Sequence, residues 1–152
     1  MAGMTNRGKK VRDDYYFRRQ GTLPTNFYVM LFTAAIAPGP DVNLVSDLTE
    51  IPAGNGYTSG GYQLSPNTTD FDLLTEDDAN DKSIMQVKDV IYTASGGNLP
   101  ASGSGARYAG LTDDNATIAN RVIFFFWDLV SNRIVSVGQS LTLQNLEMQE
   151  TE

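Results

Sequence analysis

The chain has no cysteine and no histidine among its 152 residues. Disulfides are therefore excluded, and the usual ligands of structural zinc, the thiolate nucleophile and the imidazole base are missing with them. Most familiar catalytic schemes fall away, and a non-enzymatic role without metal or cofactor is the expectation. No apolar run approaches the roughly 18 residues of a membrane helix, and the opening MAGMTNRGKK is charged without an apolar stretch behind it. A soluble product made in a cytoplasm, with no membrane partner, follows as the expectation.

Positive charge is scarce after residue 20. The first twenty residues hold Arg7, Lys9, Lys10, Arg12, Arg18 and Arg19 against Asp13 and Asp14, whereas the remainder sets five basic residues against sixteen acids. A leader of +4 thus precedes a body of −11, for a net charge of −7. Charge segregated in this way lets identical subunits, or a subunit and an acidic lattice, attract one another at specific ends. The acidic balance argues against nucleic acid as the main partner.

The length suits one folded unit, divided here into a basic docking arm over 1–25 and a body over 26–152. Within the arm, Val11 and Tyr15 share a helical face and the spacing predicts a short helix over 6–19, stopped by Gly21 and Pro24. A helix this short is marginal alone. The arm is expected to become ordered on docking, with Tyr15, Tyr16 and Phe17 as apolar anchors and Lys9, Lys10, Arg12, Arg18 and Arg19 as charged contacts.

From residue 26 the pattern becomes short β-rich runs between turn-forming clusters. Strands are expected over 27–33, 61–64, 70–74, 84–93, 106–111, 121–129, 134–137 and 141–148, an antiparallel all-β domain. The run Val122 to Trp127 is apolar on both faces and suits a central, doubly covered strand. Leu141 and Leu143 are odd-numbered and Leu146 and Met148 even-numbered, so a bulge is expected near Gln144 and Asn145. Loops over 34–58 and 95–106 are long enough to serve recognition, with a helical turn expected around Val45 and Leu48. Tyr57, Tyr62, Tyr92 and Tyr108 flank these loops. They either pack the sandwich or present an interface, with Asn55, Tyr57, Tyr62 and Tyr108 as the loop candidates.

Other motifs fail on context. The segment from Gly3 to Lys10 has phosphate-loop spacing, but no strand precedes it and Lys10 stands where Ser or Thr should reach a metal. Ser59 lacks a nucleophile elbow and a base. Carboxylates cluster in turns and mark no glycosidase pair. Asp77 with Asp78, and Asp113 with Asp114, read either as cation ligands or as solvated turns and ion-pair partners, and neither has the spacing of an EF-hand.

The strand Tyr28-Val29-Met30-Leu31-Phe32-Thr33 and the loop Glu50-Ile51-Pro52-Ala53-Gly54-Asn55-Gly56-Tyr57-Thr58-Ser59-Gly60-Gly61 resemble a family of small virion proteins of tailed bacteriophages. The stretches TEDDANDK, YTASGGNLPASGSGARYAGLTDDN and FFWDLVSNRIVSVGQSLTLQ are similar to the same group. The resemblance implies an immunoglobulin-like or jelly-roll-like β-sandwich present in many copies, without catalytic residues. It fits a capsid decoration (cement) protein on the outer head surface of the virion, assembled in the host cytoplasm, with the major capsid protein and further copies of itself as partners. The alternative is a tail, fibre or collar component with receptor- or glycan-contacting loops.

Overall fold

The structure is a computed structural model and describes residues 2–151. Among these, the elements in chain order are β1 (Ala2–Met4), α1 (Asn6–Arg18), β2 (Phe27–Phe32), β3 (Tyr62–Leu64), β4 (Leu73–Asp77), β5 (Lys82–Val87), β6 (Val90–Thr93), β7 (Ala106–Thr112), β8 (Ile123–Arg133), β9 (Ser140–Leu143) and β10 (Leu146–Thr151). They build an antiparallel, sandwich-like all-β fold with one short helix near the N-terminus. One layer is a five-stranded sheet in the order β1-β8-β7-β2-β3, and the other combines β10-β5-β4 with the pair β6-β9.

The apolar run in β8 is covered on both sides, for a reason visible in its register. Leu111 pairs with Phe125 but Thr112 with Ile123, so Phe124 is an extra residue and the strand changes face there. Phe125 and Trp127 join the inner core with Val29, Leu31, Val87, Tyr92 and Leu143. Ile123 joins an outer cluster with Met30, Phe32, Val45 and Leu48. Val45 belongs to a single 3-10 turn, Val45–Asp47, and Leu48 directly follows it. The loop over 34–58, expected to serve recognition, therefore covers the back of the main sheet in part.

The expected strands over 84–93 and 141–148 each divide in two. Inward residues are odd-numbered at Val87 and Leu143 but even-numbered at Val90 and Leu146, and both pairs are in register, Leu146 opposite Val87 and Leu143 opposite Val90. One two-stranded ribbon thus turns a corner at matched points. Asn145 adopts a left-handed φ of 53° at that corner, and Gln144 Nε2 donates to Asp89 Oδ2 at 3.1 Å across it. The strand expected over 134–137 is only an isolated bridge between Val135 and Leu99. Its place is taken by an extension of β8 that includes Val130 at φ 69°, an unfavourable conformation for a β-branched residue.

Candidate docking surface

The basic leader is not a free arm. Strand β1 closes the edge of the main sheet, with Gly3 opposite Phe126 and Met4 opposite Phe125. Thr5, fully buried, caps α1 by accepting from Gly8 N at 2.9 Å and donates the same hydroxyl to Ile123 O. Its backbone N–H donates to Phe124 O at 3.0 Å, and Asn6 N donates to Pro40 O at 2.7 Å. Gly8 lies directly on β8, where a Cβ would stand 2.7 Å from Phe124 Cα and 2.8 Å from Phe124 O. The first half of the leader is therefore part of the body. The expectation of order only on docking is corrected for this half, because fixed backbone partners on β8 and the 34–58 loop satisfy it within one chain.

Several leader charges are engaged internally. Arg12 pairs with Glu150 of β10 and, at 3.0 Å, with Asp13. Asp14 receives Lys10 from one turn before and Arg18, at 3.1 Å, from one turn after. The hydrogen bond from Lys10 holds the Asp14 carboxyl below its ordinary range, with the charges of Lys10 and Arg18 adding to it. This support of the helix is complete above the ordinary carboxylate range and is lost as pH falls through the depressed value.

The outer end of α1 is different. Tyr15 is half-buried, with its ring edge-on to Tyr16 at 6.3 Å. Tyr16 is largely exposed and Phe17 is 82% exposed, beside the exposed Arg18 and Arg19. The helix ends at Arg18, as its last-turn cation favours, and Arg19 takes the left-handed position, φ 53°, two residues before Gly21. Gln20 N closes the end on Asp14 O at 3.1 Å. Leu23 beyond it is also exposed. The sequence reading missed Leu23 because an isolated leucine carries no periodicity.

The loop candidates do not converge on one surface. Tyr57 is buried: its hydroxyl donates to Glu50 Oε1 at 2.8 Å and accepts from Leu31 N at 3.1 Å. Burial, and then the Glu50 carboxylate, push this phenol well above its ordinary pKa. Tyr57 is thus withdrawn as an interface residue, because its position in the chain places the ring in the core and its hydroxyl completes the β2 hydrogen bonding. Asn55, at φ 52°, donates Nδ2 to Asn98 O at 2.8 Å and ties the two long loops together. Gly56 beside it has φ 98° and a Cβ there would overlap Thr93 O, which accounts for glycine in this turn. Tyr62 is half-buried against Tyr92 on the inner side, with Lys88 Nζ 5.4 Å from its ring centre. Tyr108 packs on the outer cluster, with Arg107 at 5.5 Å. The rings of Tyr62 and Tyr108 therefore face opposite sides of the main sheet.

Of the carboxylates considered as cation ligands, Asp113 and Asp114 hold backbone N–H groups. Asp114 Oδ2 accepts from Thr25 N at 2.8 Å and Asn26 N at 3.0 Å, and Asp113 Oδ1 accepts from Val122 N at 3.1 Å. Asp77 caps a hairpin turn by accepting from Asn80 Nδ2. Among the described residues no group of three or more carboxylates is placed to hold a metal ion. A separate groove of about 600 Å³ runs between β8 and β9, lined by Trp127, Val130, Ile134 and Leu141.

The chain matches no protein-family model, no curated protein and no solved structure.

Proposed function

We propose that this protein is a non-enzymatic structural component of a tailed-phage particle, a decoration protein that binds the outer head surface and bridges major capsid subunits. The observation that carries the reading is the projecting tip of α1: an exposed aromatic pair flanked by arginines, set on a body of opposite charge. The sequence resemblance supplies the virion setting.

Anchoring of the leader changes the energetics of docking. A disordered arm would lose about 1–2 kcal/mol of backbone freedom per residue ordered, whereas the tip is already helical and avoids most of that cost. Burying Phe17 contributes about 2 kcal/mol, and each exposed ion pair adds at most about 1 kcal/mol. Repetition across the lattice multiplies these modest contacts. The rival reading, a receptor-contacting tail module, needs free side chains on the long loops, but Tyr57 is in the core and Asn55 holds Asn98.

Removing residues 1–20 would test this poorly, since it takes away β1 and the Thr5 cap. Substitution at the tip is cleaner. Expanded heads lacking the protein should bind the Tyr16→Ser/Phe17→Ser variant at least about tenfold more weakly than wild type, as loss of about 2 kcal/mol requires. Equal occupancy by variant and wild type, measured by quantitative gel densitometry of sedimented heads, would remove the support for the reading.

A further inference from the structure

The second layer carries an apolar row that runs out of the sandwich uncovered. Met148 of β10 pairs with Met85 of β5, which pairs with Leu74 of β4. Directly opposed residues share a face, and exposure along this row rises from 8% at Met148 to 36% at Met85 and 76% at Leu74. Among the described residues β4 pairs only with β5, so its outer edge is open there as well. On the same face the next row is Glu150, Ser83 and Glu76. Asp72 precedes β4 and Asp78 and Asp81 lie in the β4–β5 turn, and none of these three, nor Glu76, has an ion pair among the described residues.

This wing is the chemical complement of the α1 tip. One offers aliphatic side chains among carboxylates, the other aromatic side chains among arginines. Arg12 of α1 pairs with Glu150, the first member of the row that ends at Glu76, so the helix is joined to the strand set that carries the wing. Two complementary patches on one chain can be satisfied twice around a two-fold axis, each tip on the other subunit's wing.

We infer that the tip's partner is a second copy of this chain, with Phe17 of each subunit seated on Leu74 and Met85 of the other and Arg18 and Arg19 facing Glu76 and Asp78. This deepens the decoration reading and rests on it: on a head, Phe17 is buried by the neighbouring decoration subunit, so weaker occupancy by the tip variant reports loss of this contact between copies. On a head the contact joins neighbouring decoration subunits.

The test uses purified full-length chain in analytical ultracentrifugation across a concentration series. Wild type should move from monomer towards dimer mass as concentration rises, and added salt should shift the transition to higher concentration. Phe17→Asp alone and Leu74→Lys alone should remain monomeric. Their equimolar mixture should regain dimer, because one contact then keeps the native pair and the other sets the introduced carboxylate of one variant against the introduced ammonium of the other. Both positions are exposed, and circular dichroism checks that the fold is kept. Wild type that stays monomeric throughout, or a mixture that stays monomeric, overturns the inference. A dimer that does not bind heads would instead defeat the decoration reading and leave this contact standing.

Discussion

Trp127→Ala is expected to destabilise the protein by about 3–5 kcal/mol, the range for removing a buried aromatic side chain. Trp127 sits on β8 opposite Ala109 of β7 and Ala2 of β1, small partners that leave room for the indole. Its ring packs 5.2 Å from Phe125, and Nε1 donates to Glu147 O of β10 at 2.7 Å. The side chain thus fills the inner core and links the two layers by one hydrogen bond. Trp127→Phe separates these roles: it keeps most of the volume and leaves the Glu147 carbonyl unpaired, for a smaller loss of about 1–2 kcal/mol. Urea unfolding followed by circular dichroism measures both, since the tryptophan signal is itself removed. A shift below about 1 kcal/mol for the alanine variant would show that the indole is not the joint between the layers.

The second large effect reverses an ordinary rule. Glycine to alanine inside an exposed helix stabilises it by about 1 kcal/mol, yet Gly8→Ala should destabilise this protein by about 2 kcal/mol. The added Cβ would lie 2.7 Å from Phe124 Cα and 2.8 Å from its carbonyl oxygen, backbone atoms that cannot swing aside. Relief requires lifting α1 from β8, which also pulls Thr5 away from Ile123 and Phe124. Lys9→Ala, one position on and exposed, serves as the control and should change stability little. A Gly8→Ala variant as stable as wild type, or more so, would mean that the leader does not rest on the sheet.

What the sequence reveals here depends on how far each feature reaches along the chain. The helix is legible over nearly its whole span because Val11 and Tyr15 fall on one face. The corner at Gln144 and Asn145 is legible because the inward residues change from odd to even, although the same corner in the facing strand, between Val87 and Val90, is hidden by Lys88 and Asp89. Strand β1 is too short, at three residues, to show any period. Gly8 reads as a weak spot in a helix, and only the approach of Phe124 shows why it is glycine. Net charge separates a basic leader from an acidic body, but it cannot show that the leader folds back onto that body. Tyr57 illustrates the limit for aromatic residues, since a tyrosine near a glycine-rich loop reads alike whether its hydroxyl meets water or, as here, Glu50 and Leu31. Leu74 and Met85 look like ordinary strand residues. Their exposure is visible only in the folded structure.

The decoration proposal is tested most directly by copy number: it requires a tailed phage whose purified particles carry this chain, counted by quantitative mass spectrometry against the major capsid protein. The proposal predicts copies comparable in number to the capsid subunits, lost from the shell when the tip of α1 is altered. A handful of copies per particle, independent of the number of shell subunits, would contradict it and assign the protein to the tail or collar instead.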